Sequence, residues 1–146
     1  MIYIGCDHAG FELKEQVKQL LSSLVEQFED LGPAKFNPAD DYPDFAALVA
    51  KKIQANPQAK GILICGTGQG ICIAANKFKG IRAGQAWNEA TATAGRNDDD
   101  INILCLASRH QTFDEVKPII RAFLETPFDA VDRRMRRLEK IKELEH

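Results

Sequence analysis

Short apolar runs alternate with segments whose apolar residues recur every three or four positions, and the alternation continues along the whole chain. Ile2–Cys6 is rich in apolar residues and carries no charge, so it predicts a buried strand. Phe11, Leu13, Val17, Leu20, Leu21 and Leu24 then recur at helical spacing with charges between them, which predicts an amphipathic helix. Glu26–Leu31 predicts a short second strand ended by Gly32-Pro33. Asn37–Asp41 is a turn-rich loop before a helix starting near Pro43, whose apolar side is Ala46, Leu48, Val49 and Ile53. Gly61–Cys65 predicts the third strand, followed by a helix through about Lys77; Ile81–Gln85 and Trp87–Arg96 repeat the strand-helix pair; Ile101–Leu106 predicts the fifth strand. Thr112-x-x-Glu115 is a capping-box pattern for a helix through Leu124, with Pro118 placed to kink it or delay its start. A final charged helix is expected from about Val131 to the end.

Five strands alternating with helices predict an α/β fold. The expected architecture is one doubly wound, Rossmann-like α/β/α sandwich over residues 1–146, with a five-stranded parallel sheet in the order 2-1-3-4-5 and an added C-terminal helix. Open sheets of this kind bind ligands beyond the carboxyl ends of the strands where the winding reverses, here between strands 1 and 3. The loop after strand 1 carries Asp7 and His8, and the loop after strand 3 carries Cys65 through Gly70. Two segments far apart in the chain are therefore expected in one pocket.

Composition narrows the function. With 146 residues, 45% of them apolar, the chain makes one domain and leaves no room for a separate substrate domain. A formal charge of −2 argues against non-specific nucleic-acid binding. No apolar run is long enough to span a membrane and the start lacks the pattern of a signal peptide, so a cytoplasmic protein is expected, with neither membrane nor nucleic acid as partner. The four cysteines show no C-x-x-C pairing, which suggests no zinc site and no disulfide framework, and three of them read as core filling. The ending Leu144-Glu145-His146 resembles the start of an expression tag and receives no functional weight.

The densest chemistry is Gly61-Ile62-Leu63-Ile64-Cys65-Gly66-Thr67-Gly68-Gln69-Gly70-Ile71, a strand that ends in a thiol and opens into alternate glycines. Gly66, Gly68 and Gly70 let the backbone approach a ligand closely, and a following helix would aim free N–H groups at an anion. A thiol at such a lip is favoured as thiolate, so the loop could both activate a base and stabilise an oxyanion. Each piece has a plainer reading. The glycines alone fit an ordinary turn or a nucleotide loop; Glu89 stands where a dinucleotide site has its ribose-binding acid, but the spacing is not G-x-G-x-x-G. A C-x5-R phosphatase loop is excluded because Ile71 occupies the arginine position. Cys65 alone would be core filler, His8 a structural histidine, and Asp7 a cap for the first helix. Arg133 and Arg137, one helical turn apart with Arg136 and Lys140 nearby, could clamp one phosphate or form a solvated basic face. RNA binding would need aromatic residues among them, and there are none.

Taken together, Gly5-Cys6-Asp7-His8-Ala9-Gly10-Phe11, Asp41-Tyr42-Pro43, the Ile64–Ile71 loop with Ala74-Ala75-Asn76-Lys77, and Arg133-x-x-x-Arg137 resemble the ribose-5-phosphate isomerase B family, which includes the subunits of galactose-6-phosphate isomerase. The likeness runs from the first strand to the last helix. It implies aldose-ketose isomerisation between ribose 5-phosphate and ribulose 5-phosphate through a cis-enediolate, without metal or cofactor. It also implies a homodimer or dimer of dimers, with active sites between subunits and the C-terminal helix, about residues 131–145, packed on the partner. Carried over by resemblance, Cys65 is the base between C1 and C2, Gly66, Gly68, Gln69 and Gly70 form the anion hole, and Thr67 assists proton transfer. Asp7 and His8 contact the substrate, and Arg109, Arg133 and Arg137 hold its phosphate.

One position departs from the family. Where many members read His-Asn-Asp, with the histidine assigned to opening the sugar ring, this chain reads Asp98-Asp99-Asp100. Asp98 is the candidate replacement, because a carboxyl group can also exchange protons between ring oxygen and hydroxyl, and Asp99 would face the sugar hydroxyls. Three adjacent negative charges repel one another, which favours a protonated carboxyl among them. Unassisted ring opening, a different sugar phosphate, and a non-catalytic phosphate-binding module are the other readings.

Overall fold

The structure, a computed structural model, covers residues 1–146. Its strands are β1 (Ile2–Cys6), β2 (Phe28–Asp30), β3 (Lys60–Cys65), β4 (Ala83–Gln85) and β5 (Ile103–Ala107). Its helices are α1 (Phe11–Leu24), α2 (Tyr42–Ala55), α3 (Gln69–Ala75), α4 (Glu89–Asp99), α5 (Phe113–Glu125) and α6 (Asp132–Glu143). A 3-10 turn at His8–Gly10 leads directly into α1. All strand pairs are parallel.

The sheet order is β2-β1-β3-β5-β4, which corrects the expected 2-1-3-4-5 at its last two places. Burial explains the exchange. Ile103-Leu104-Cys105-Leu106-Ala107 is buried at every position, as an interior strand covered on both faces must be. Ala83-Gly84-Gln85 is short, partly exposed and paired on one side only, which suits an edge.

The exchange also places the helices. The connection from β3 to β4 passes over one face, and the connection from β4 back to β5 must return over the other to stay right-handed. Accordingly α2 and α3 cover one face, whose core includes Val49, Ile53, Leu63, Cys65 and Ile103. α1, α4 and α5 cover the other, whose core includes Ile4, Val17, Leu21, Leu104, Ile120 and Phe123. Because β5 lies beside β3, the loop that follows β5 emerges next to the Cys65 loop rather than one strand away.

Other boundaries shift by a few residues. β2 is shorter than expected, α3 stops at Ala75, and β4 and β5 each begin two residues later. Pro118 lies inside α5 without ending it. Lys14 departs from the expectation that the charges of α1 face water: it is fully buried, with Nζ donating to Asp30 Oδ1 at 2.8 Å and to the Pro33 carbonyl at 2.7 Å. α6 has no buried residue, and no helix is long and apolar enough to cross a membrane.

Candidate active site

Beyond the carboxyl ends of β1, β3 and β5 lies a cleft of about 360 Å³. Cys65 is the last residue of β3 and lines it, with Gly66, Thr67 and Gly70 from the following loop. Asp7, His8 and Ala9 enter from the turn after β1, Tyr42 from the start of α2, and Arg109 from the loop after β5.

The Cys65 loop is built around its sulfur. The backbone N–H of Gly68 donates to Cys65 Sγ at 3.2 Å, which ties the loop back on the strand end. That geometry requires Gly68 to take φ of +72°, a region that disfavours any side chain. A Cβ there would also stand 2.6 Å from Gln85 Nε2 and 3.1 Å from the Leu106 carbonyl. Gly66 is a glycine because the Arg109 guanidinium crosses its α-carbon, where a Cβ would meet Nη1 at 2.9 Å. Gln69 N–H donates to Thr67 Oγ1 at 3.3 Å. The N–H groups of Gly66, Thr67 and Gly70 have no acceptor within the chain, so three donors at or beside the cleft remain available to an oxyanion.

The loops are fastened to one another. Ser108 N–H donates to the Cys65 carbonyl at 2.9 Å and Arg109 N–H to the Gly66 carbonyl at 3.0 Å. Ser108 Oγ donates to the Ala9 carbonyl at 2.7 Å and lies 3.1 Å from the Cys65 carbonyl, joining all three loops. Sequence reasoning did not single out Ser108, and its signal is visible only once β5 is known to lie beside β3. Asp7 caps the 3-10 turn that leads into α1 rather than α1 itself, accepting Gly10 N–H at 3.2 Å, and lines the cleft as well. His8 Nδ1 and its backbone N both lie 2.8 Å from Asp40 Oδ1. The hydrogen bond that the His8 ring makes to Asp40 raises the proton affinity of His8 above its ordinary value, with desolvation opposing it. Asp40 was likewise missed, since nothing in its spacing marks it apart from the neighbouring acids.

Not every expected residue reaches this cleft. Gln69 faces an adjoining hollow of about 400 Å³ with Gln85, Trp87 and His110. Asp98, Asp99, Arg133 and Arg137 lie elsewhere in the same chain. α4 starts near the Cys65 end of the sheet and runs back along it, and eleven helical residues cover about 16 Å, so its last turn reaches the amino ends of the strands. There Asp98 Oδ1 is 2.6 Å from Arg134 Nη2 and accepts from Asn97 Nδ2 at 2.8 Å. Asp100 is paired with Arg82 at 2.8 Å and Arg96 at 2.7 Å, while Asp99 is exposed. Two of the three acids, Asp98 and Asp100, thus face cations, which relieves the repulsion expected of the run. Arg133 and Arg137 are exposed on α6 at this same end and take part in no ion pair of this chain.

Residues 2–141 match the family described as Ribose/Galactose Isomerase. The chain belongs to that family. It is 48% identical over 140 residues to the probable ribose-5-phosphate isomerase B of Mycoplasma pneumoniae, covering 96% of this chain and 91% of that relative. The crystal structure of ribose-5-phosphate isomerase B from Mycoplasma genitalium with bound ribulose-5-phosphate superposes with a TM-score of 0.93 at 45% identity, covering 97% of this chain and 93% of the other. The ribose 5-phosphate isomerase from Thermotoga maritima gives 0.93 at 42% identity, covering 98% and 97%. In this isomerase family member the thiol, the free amides and a guanidinium converge on one small cleft, while four further expected residues gather at the opposite end of the sheet.

Proposed function

We propose that the chain interconverts ribose 5-phosphate and ribulose 5-phosphate through a cis-enediolate, with Cys65 as the base. The observation that carries this reading is Cys65 Sγ at the cleft, held by Gly68 N–H, beside the unpartnered amides of Gly66, Thr67 and Gly70. Thiolate sulfur removes the proton from C2 of the open-chain aldose, the electron pair moves into the C1–C2 bond, and negative charge collects on oxygen. The amides face that charge. The thiol then returns a proton to C1, giving the ketose, and Thr67 serves the accompanying transfer between the two oxygens. His8, Asp7 and Arg109 hold the substrate, and fixing its phosphate keeps C1 and C2 against the sulfur.

The remaining residues complete the site from a second copy of the chain, in a homodimer or dimer of dimers acting in the cytoplasm. Asp98, Asp99, Arg133 and Arg137 lie at the wrong end of the sheet to serve Cys65 of their own chain, and α6 carries a face without buried residues. Packing of α6 on a partner would bring these residues to the partner's cleft, where Asp98 stands in the ring-opening role. Its replacement of histidine is the one feature that favours a second reading, in which the preferred sugar phosphate is a tetrose, hexose or deoxy sugar.

The test is incubation with ribose 5-phosphate in D2O and EDTA. Ribulose 5-phosphate carrying deuterium at C1 supports the reading; binding without isomerisation or exchange leaves a phosphate-ligand-binding module in its place. A panel of tetrose, pentose and hexose phosphates decides the substrate.

A further inference from the structure

Asp40 stands apart from the other acids of this chain. Its side chain is only 8% exposed, its Oδ2 is buried with no hydrogen-bond partner, and its Oδ1 accepts from both the backbone N–H and the ring Nδ1 of one residue, His8. A carboxylate so far removed from water needs a facing cation, and the His8 imidazole is the one basic side chain within ion-pair distance. The same loop sets Phe36 edge-on against the His8 ring, with centroids 6.4 Å apart, and Phe36 leans in turn on Phe11 at 6.2 Å. Phe36 and Asp40 therefore hold the imidazole twice, by an aromatic T-shaped contact and at Nδ1.

This grip decides what His8 can do. With a carboxylate oxygen 2.8 Å from Nδ1, the ring carries its proton on that nitrogen, and Nε2 remains for the cleft that His8 lines. We propose that Asp40 is a positioning residue for the isomerase reaction: it holds the His8 ring by Nδ1 so that Nε2–H is presented, charged, to the anionic part of the substrate. The inference rests on reading His8 as a substrate contact. An imidazolium between a buried carboxylate behind and a sugar phosphate ahead is stabilised from both sides. The other charged or titratable groups facing it are Asp7 beside it on the turn after β1, Arg109 from the loop after β5, Cys65 from β3 and Tyr42 from α2. Asp7 and Asp40 both favour the protonated ring.

The experiment uses the full-length protein with Asp40→Asn, Asp40→Ser, Asp40→Glu and His8→Ala. KM and kcat for ribose 5-phosphate are measured from pH 6 to 9, and the His8 ring is titrated by NMR in the ligand-free protein. In Asp40→Asn the His8 midpoint should fall, KM at pH 7.5 should rise about tenfold while kcat changes less than about threefold, and Asp40→Glu should recover part of both. Asp40→Ser should follow Asp40→Asn, and carries the test if the amide disturbs folding. A folded Asp40→Asn or Asp40→Ser enzyme with an unmoved His8 midpoint and KM, beside a His8→Ala enzyme that binds poorly, would remove Asp40 from the mechanism and leave His8 in place. A His8→Ala enzyme with unaltered KM would overturn the proposal from the other side, by taking His8 off the substrate.

Discussion

Cys6 and Cys65 end neighbouring strands yet face opposite sides of the sheet. Cys6 pairs in register with Ile64, and both join the core under α1 and α5; Cys65, one residue on, belongs to the core under α2 and α3. Side chains one position apart on a strand point to opposite faces, so the sheet itself stands between the two thiols. A disulfide between them would require β1 or β3 to turn over.

The two sulfurs should therefore differ in chemistry. Burial pushes the Cys6 thiol up to about 12, with the Lys14 ammonium partly opposing it. Cys6 is therefore expected to stay unmodified by iodoacetamide at pH 8 in the folded protein and to react once urea unfolds it. The sign of the pH dependence follows. Between about 9 and about 12 the unfolded chain has lost this proton and the folded chain keeps it, so folding stability falls as pH rises through that window. A Cys6→Ala variant should show a shallower alkaline decline in urea melts; an equal decline would show that Cys6 is not its source.

Removing the sulfur and removing its holder should have different signatures. Cys65→Ala is expected to lower kcat by about a thousandfold, with a fall in melting temperature smaller than that of Gly68→Ala, because it deletes one small side chain and the acceptor of Gly68 N–H without forcing the backbone. Gly68→Ala places a side chain at φ of +72° and against Gln85 and Leu106, so it should cost about 1–3 kcal/mol of stability as well as turnover. Denaturant melts and steady-state rates on the same samples separate the two. Retained turnover in Cys65→Ala would end the assignment of the base.

What the sequence displayed and what it concealed divide along a physical line. The hydrophobic period exposed the strands and the helices α1 to α5, which pack on the sheet, whereas α6 has no buried residue and was legible only as a charged helical run. The period also placed the Cys65 loop and the Asp7-His8 turn in one crevice, because right-handed winding leaves few alternatives. Strand order beyond β3 was harder, because the expected strand Ile81–Gln85 is as long as its neighbours in the sequence, and only the structure shortens it to the edge segment Ala83–Gln85. Lys14 and Asp40 were out of reach. Both are buried charges whose partners, Asp30 and His8, lie 16 and 32 residues away, and no local pattern distinguishes a charge that meets a partner in the interior from one that meets water.

Lys14 offers a test of that interior polar network. Its Nζ bridges Asp30 and the Pro33 carbonyl, while Asp30 also pairs with Lys18 at 2.8 Å and accepts Gly32 N–H at 2.9 Å. Burial pushes the Asp30 carboxyl up, but the bonds from Lys14, Lys18 and Gly32 outweigh it and leave the group below its ordinary 3.8. Its contribution to stability is thus complete above that value and lost as pH falls through the lower folded value. Lys14→Met should destabilise the protein by about 3 kcal/mol in urea, because it strands a partly buried carboxylate, and acid unfolding should begin at higher pH than in the parent. An unchanged acid midpoint would show that Lys18 alone holds Asp30.

The opposite placement of Cys65 and Arg137 in one chain leads to the sharpest prediction about assembly. If each site combines Cys65 of one copy with Arg137 of another, Cys65→Ala and Arg137→Ala chains should be nearly inactive alone and complement one another when mixed. In a mixed dimer one site carries both lesions and the other carries neither. With random reassociation half the dimers are mixed and half their sites are intact, so about a quarter of the parent activity should return. If each chain instead completed its own site, every site in the mixed dimer would keep one lesion and no activity would return. Mixing after mild urea dissociation, followed by the ribose 5-phosphate assay, distinguishes the two. The same experiment with Asp98→Asn in place of Arg137→Ala reports whether the acid at position 98 acts across the interface too, since recovery there depends on Asp98 reaching the partner's cleft and on nothing else in its own chain.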